Sequence, residues 1–492
     1  MSAPCDLAAT AARQLIGTKR LSPVELMQSC IDRIEAIDPA VNAMVARDYD
    51  GALAAAREAE AAVMRGDALA PMHGLPVGIK DLDEAAGLPT TWGSLLFRDH
   101  VSTRDDGMVA RVRQGGAIVL GKTNTPEWGA GANTRNAVYG ATGNPFNPDL
   151  SSAGSSGGSA VALATGMVPL ASGSDMGGSL RNPAAFSGIV GFRPSMGMVA
   201  SEKRGLGWSH LGTAGPMARN VADLCLLYAS QVGFDARDPL SRVPSPDLLR
   251  GVPLPVDLAS VRAAFSPDLG FAPTERLIRE TFAEKTALFR HLFAEAVDAA
   301  PDCTGADEAF EVLRGVGFLA GHLQRYRTTP ELLGPNVRAN IEEALGYSAY
   351  DVARAQTAQT AMYWRWQDFF GDVDVVITPS ITLSPRSWRE LAPTEIDGQP
   401  TRTYFHWLAL AYGVTLVGHP AVSLPVGLDA KGMPFGLQIV GRQGADAHVL
   451  GVAAALEREL AGDARTARPE PNLEMLKAAP PIAGKDGFLG FG

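Results

Sequence analysis

The sequence predicts an α/β protein in which helices are layered on a central mixed β-sheet. Two observations carry this: short apolar runs bounded by Gly and Pro alternate with longer stretches of helical spacing, and no internal repeat organises the chain. Its 46% hydrophobic and 20% charged residues are ordinary for a soluble globular protein. A length of 492 residues would by itself suggest two or three domains.

The elements follow in order. Ser22-Pro23-Val24-Glu25 reads as a capping box, and Leu26, Cys30, Ile31, Ile34 and Ile37 then recur at helical spacing. An alanine-rich helix is expected over Tyr49 to Arg65, and a strand over Leu75 to Asp81. A helix over Met108 to Gln114 leads into a strand over Ala117 to Gly121. From Asn133 to Met198 the chain is rich in Gly and Ser, yet Ala160 to Ala164 and Ile189 to Phe192 read as helix and strand, so ordered loops on a packed scaffold are expected.

Beyond Phe234 the pattern turns to charged amphipathic helix, over Thr274 to Ala300 and Tyr347 to Phe370. Strands return at Val373 to Ile377 and Phe435 to Val440, and a last helix spans His448 to Leu460 before a loosely held, Pro-rich tail. His406 to Leu428 carries no Lys, Arg, Asp or Glu. Gly413, Gly418, Pro420 and Pro425 interrupt it, so it reads as buried strand and turn rather than a membrane span.

Charge and cysteines exclude several functions. A net charge of −10 disfavours nucleic acid as a target. Cys5, Cys30, Cys225 and Cys303 make no C-x-x-C pair and fit buried thiols in a reducing compartment, with neither disulfides nor a metal site. Met1 to Asp6 lack the start of a signal peptide, so a cytoplasmic location is the expectation.

Chemistry concentrates at three places. Lys80 leaves the apolar run Val77-Gly78-Ile79, so it is drawn into the interior, where desolvation favours a neutral amine able to act as a base. Ser155 and Ser156 lie in Gly154-Ser155-Ser156-Gly157-Gly158, which is no G-x-S-x-G elbow and lends little support to a Ser–His–acid triad. Ser179 ends Met176-Gly177-Gly178-Ser179, whose consecutive N–H groups can converge on one oxygen. Nucleophile, relay, base and oxyanion donors point to an amide hydrolase that needs neither histidine nor metal. Gly116 to Thr123 satisfies G-x-x-x-x-G-K-[ST], but its apolar centre reads as the strand itself, and Pro126 falls where a helix should begin.

The order Lys80, Gly154-Ser155-Ser156-Gly157-Gly158-Ser159, Asp175-x-Gly177-Gly178-Ser179-x-Arg181 resembles the amidase signature family. The likeness extends through Gly74 to Asp81, Gly121 to Asn124 and Gly215 to Arg219. It resumes at Thr378-Pro379, Gly418 to Ala421 and Pro434 to Gln438. The resemblance implies Ser179 as nucleophile, Ser155 as proton relay with a cis peptide before it, and Lys80 as base. The N–H groups of Met176, Gly177, Gly178 and Ser179 become the oxyanion hole.

It implies one α/β/α sandwich around a mixed sheet. N-terminal helices span 1–70 and the signature core 71–233. A helical region bordering the pocket spans 234–370, the return to the sheet 371–480 and a tail 481–492. Two positions depart from the family pattern: Ala153 stands where many members have glycine, and Met176 where threonine or isoleucine is common. The implied reaction is hydrolysis of a linear amide, with aryl amides, carbamates and esters as extensions, without a cofactor or membrane. A homodimer is the working expectation. The rival is the glutaminase subunit of a tRNA-dependent amidotransferase, although the stretch around Phe192 to Pro216 looks more like free-standing amidases. Trp92, Trp128, Tyr139 and Trp208 are expected to line an apolar pocket.

Overall fold

The structure, a computed structural model, describes residues 3–490; Met1, Ser2 and the last two residues of the tail lie outside them. Eleven strands form one sheet: β1 (Met44–Arg47), β2 (Pro76–Lys80), β3 (Ile118–Thr123), β4 (Leu170–Asp175), β5 (Val190–Arg193), β6 (Thr213–Ala218), β7 (Arg262–Phe265), β8 (Glu295–Asp298), β9 (Val375–Pro379), β10 (Ala421–Leu428) and β11 (Pro434–Gly441). Their order is β1-β3-β2-β4-β6-β5-β10-β11-β9-β7-β8. The sheet is mixed. β2 runs parallel to β3 and β4, and β7 parallel to β8 and β9, while β4–β6, β5–β10 and β10–β11 are antiparallel. The parallel strand β2 is buried at every position, as expected where helices cover both faces.

Helix α1 (Pro23–Val41) starts where the capping box predicts: Ser22 Oγ accepts from the Val24 and Glu25 N–H groups, and Glu25 reaches back to the Ser22 N–H at 3.0 Å. It buries Leu26, Cys30, Ile31, Ile34 and Ile37. Helix α2 (Tyr49–Arg65) occupies the expected span and ends at Gly66, whose φ of 81° suits a helix terminus. Helices α3 (Gly157–Ala164) and α4 (Arg181–Ser187) are short and wholly buried. α3 lies so close to the sheet that a Cβ on Gly158 would sit 2.2 Å from the Asn124 backbone nitrogen. Gly158 lets the helix approach the backbone where β3 ends.

Four readings of the sequence change. The expected helix over Thr274 to Ala300 stops early: the helix is Arg276–Ala287, a 3-10 turn follows, and Glu295–Asp298 pairs as edge strand β8. An edge strand this short and exposed carries no alternation to announce it. Within 234–370 the chain therefore gives two strands to the sheet as well as α5 (Ala306–Thr328) and α6 (Ala349–Asp372). The apolar stretch from His406 is helical in its first half, as α7 (Ala409–Leu416), and only then becomes β10. A helix buried on all sides has no polar face to set a period.

The tail beyond α8 (Asp446–Leu460) is also docked. Helix α9 (Leu473–Ala478) buries Leu476, and Ile482 packs with Ala141 and Trp388. All four cysteines are free and buried. Among the described residues no helix is long and apolar enough to cross a membrane.

Candidate active site

The carboxyl ends of β2 and β4 bring the chemistry together. Lys80 is the last residue of β2 and is fully buried, its N–H donating to Ser172 Oγ of β4 at 3.0 Å. Its Nζ meets three hydroxyls: Ser155 Oγ at 2.7 Å, Ser156 Oγ at 2.8 Å and Ser174 Oγ at 2.9 Å. Burial draws the amine down from its ordinary value to about 7, although Asp83 and Asp175 pull the other way. Ser156 Oγ also contacts the Ser174 carbonyl, at 3.3 Å, to which only the hydroxyl can donate. Ser155 and Ser156 immediately precede α3, and the Gly154–Ser155 peptide is cis. Ala153 holds a φ of 57°, the left-handed region where glycine carries no strain.

Ser179 lies between β4 and α4, half-buried, and lines the same cavity as Ser155 and Ser174. Asp175 organises this segment from below. Burial opposes its ionisation, but Arg181 and Arg193 outweigh that and hold its carboxyl well below the usual range. Arg181 binds it through Nε at 3.0 Å and a terminal nitrogen at 2.8 Å, and Arg193 bonds its carbonyl at 2.7 Å. Asp175 also accepts from the N–H groups of Gly178 (3.0 Å) and Leu180 (3.1 Å). The Gly178 N–H is thus directed at Asp175, which amends the expected set of four oxyanion donors. Met176, Gly177 and Ser179 remain as candidate donors. Gly178 needs its φ of 100°, and a Cβ there would lie 2.5 Å from the Ala411 Cβ.

The cavity has a volume of about 360 Å³. Of the four aromatics expected to line it, only Trp128 does. Trp92 stacks behind Trp128 with ring centroids 5.3 Å apart, and both hold left-handed backbone, φ 52° and 51°. Tyr139 is half-buried away from the cavity, and Trp208 projects into solvent at 80% exposure while its neighbours Leu206 and Ser209 face the cavity. Sequence reasoning missed the opposite wall: Arg314, Phe318 and His322 of α5, with Tyr404 and Leu408. Their signal was a residue every fourth position, interleaved with Gly317 and Gly321. An ordinary packing stripe looks the same. Burial lowers His322 to about 4, with Arg325 adding to the effect, and its Nδ1 and the Trp128 Nε1 are buried without partners among the described residues.

The G-x-x-x-x-G-K-[ST] match is β3 itself. Lys122 Nζ donates to the Asp83 carbonyl at 2.6 Å and to Thr90 Oγ1 at 2.7 Å, and lies 3.3 Å from Asp81, with no phosphate loop around it.

A family model described as Amidase matches residues 25–450. The chain is 34% identical over 468 residues to an acylamidase of Rhodococcus erythropolis, covering 92% of this chain and 95% of that protein. It is 32% identical over 474 residues to a component of the glutamyl-tRNA(Gln) amidotransferase of Acidothermus cellulolyticus, covering 90% of this chain and 92% of that one. Among solved structures, a bacterial aryl acylamidase of the amidase signature enzymes matches with a TM-score of 0.86 at 27% identity, covering 97% of this chain and 99% of that one.

Proposed function

The chain belongs to the amidase signature family of amide-hydrolysing enzymes, and from that premise we propose that it cleaves linear and aryl amides through an acyl-enzyme on Ser179, with Ser155 as relay and Lys80 as base. The observation that carries this reading is the environment of Lys80: a buried amine, drawn down to about 7, whose Nζ faces hydroxyls only. A neutral amine has two N–H donors and one lone pair. Ser156 directs its own proton to the Ser174 carbonyl and so accepts from Lys80, which leaves one N–H and the lone pair for Ser155 and Ser174; in the proposed relay the lone pair takes the Ser155 proton.

In the first half-reaction Lys80 takes the Ser155 proton, Ser155 takes the Ser179 proton, and Ser179 Oγ attacks the amide carbon. The N–H groups of Met176, Gly177 and Ser179 receive the oxyanion. Collapse breaks the C–N bond, and the relay returns the proton to the leaving amine. Water then attacks the ester along the same relay and releases the acid. An oxyanion donor of this kind contributes roughly 3–4 kcal/mol to the transition state.

The amidotransferase-type relative supports a second reading, in which glutamine is the amide and a partner receives the ammonia. One experiment separates the two: amine release by wild type and Ser179→Ala from glutamine, aliphatic amides, anilides, peptide amides, carbamates and esters. Turnover of anilides or other simple amides by the isolated chain, lost by about 10⁶ in Ser179→Ala, is the expected result. Turnover of glutamine alone, and only with a partner, would favour the second. Undiminished turnover in the variant would refute the assignment of Ser179.

A further inference from the structure

Every charged residue lining the cavity has an oppositely charged partner except one. Asp83 pairs with Lys203 at 3.0 Å, Asp175 with Arg181 and Arg193, and Arg204 with Asp238 at 3.5 Å. Arg314 is 5% exposed and has no carboxylate within ion-pair distance among the described residues. A guanidinium remains charged inside a protein, and a buried charge without a counter-ion is unfavourable. What surrounds it orients rather than neutralises it. Nε donates to Asn340 Oδ1 at 3.1 Å, one terminal nitrogen donates to the Tyr404 hydroxyl at 2.5 Å, and the other points at Met176 Sδ at 3.5 Å. The rings of Phe318 and Phe405 lie 4.7 and 5.1 Å from its central carbon.

Donor counting shows what is left over. A guanidinium has five N–H groups, and three are directed at protein atoms. The Tyr404 hydroxyl accepts from Arg314 and also from Asn340 Nδ2 at 2.6 Å, so its own proton is turned toward a third group. Both residues line the cavity. Together they form a charged fork and a hydroxyl donor, the arrangement that grips a carboxylate.

We infer that the substrate is an amide bearing a free carboxylate, which Arg314 and Tyr404 bind. The inference rests on the assignment of this cavity to amide hydrolysis. Met176 fixes the geometry: it opens the segment of oxyanion donors and its sulfur touches Arg314, so only a short spacer separates the amide carbonyl from the carboxylate. A cavity of about 360 Å³ suits a small molecule of that kind.

The test measures aniline release from ω-carboxy anilides of two to four methylenes, and amine release from acetamidobenzoates. Each is set against the neutral methyl ketone of the same shape. Wild type is expected to favour the carboxylate by about tenfold or more in kcat/KM, mostly through KM. Within Arg314→Met the same ratio should fall to near one, and Arg314→Lys should retain part of it. Fluorophosphonate labelling of Ser179 in each variant reports an assembled site. Should Arg314→Met not fold, the wild-type and Arg314→Lys ratios decide. No preference in wild type, a ratio that Arg314 substitutions leave unchanged, or no turnover of any carboxylate amide would overturn the inference. Absence of both amide turnover and Ser179 labelling would instead overturn the assignment beneath it.

Discussion

Lowering the pH tests the proposed base directly, because the proposed mechanism requires Lys80 to be neutral. A fall from the ordinary value of 10.5 to about 7 corresponds to roughly 5 kcal/mol in favour of the uncharged amine. Below about 7 the ammonium has no lone pair for the Ser155 proton, so activity is lost as pH falls through that value and fully present above it. The neutral fraction drops roughly tenfold per pH unit, to about 1% at pH 5. The assay is kcat/KM for an anilide from pH 5 to 9, since this parameter reports groups of the free enzyme and the anilide does not titrate there.

Asp83→Asn supplies the sign test. Asp83 is buried beside the cavity and raises the Lys80 pKa, opposing desolvation. Replacing it with an isosteric amide removes that charge and leaves Lys203 with Asp106 as its remaining partner. The loss of that one negative charge makes the potential at Lys80 more positive. The acid limb should move to lower pH by a few tenths to about one unit, so at pH 6 the variant keeps a larger fraction of its plateau activity than wild type. A wild-type limb near 10, or a shift to higher pH in the variant, would refute the reasoning.

Further predictions concern the same elements. Lys80→Ala should lower kcat by several orders of magnitude, approaching the effect of Ser179→Ala, and Ser155→Ala somewhat less; single-turnover acylation with an unchanged circular dichroism spectrum checks both. Gly178→Ala forces a side chain into a φ of 100° and against the Ala411 Cβ, so it should destabilise by at least roughly 1–3 kcal/mol and suppress acylation, as read by thermal melts and fluorophosphonate labelling. Asp175→Asn leaves Arg181 and Arg193 buried without their counter-charge. A loss of roughly 3–5 kcal/mol is expected in urea denaturation, and an unchanged midpoint would show that Asp175 does not hold the segment.

The legible part of the sequence was the part written in local chemistry. Ser22 and Glu25 announced α1, and the glycines around Ser155 and Ser179 announced ordered, closely packed loops. What was illegible depends on tertiary partners. Arg314 reads as any surface arginine on an amphipathic helix until α5 is laid across the cavity and its guanidinium is found among Phe318, Tyr404 and Phe405. Trp208 sits among residues that face the cavity, yet its own side chain turns to solvent. Loop aromatics carry no periodicity from which to read direction. β8 was hidden because an exposed edge strand resembles the turn that leads into it.

Two buried lysines show how environment separates residues that sequence treats alike. Lys80 and Lys122 lie on adjacent parallel strands, and each is the last or next-to-last residue of its strand. Burial lowers both, with carboxylates opposing it, but their partners differ in kind. Lys122 faces a carbonyl, a hydroxyl and the carboxylate of Asp81. The carbonyl and carboxylate can only accept, so they favour an ammonium that keeps its protons and braces the strand ends. Lys80 faces three hydroxyls, and a hydroxyl donates as readily as it accepts. That shell is satisfied by an amine that has given a proton away and equally by one that has just taken it back. The proposed base, cycling between the two states, needs such neighbours. A carboxylate in direct contact would fix Lys80 in the charged form and end the cycle.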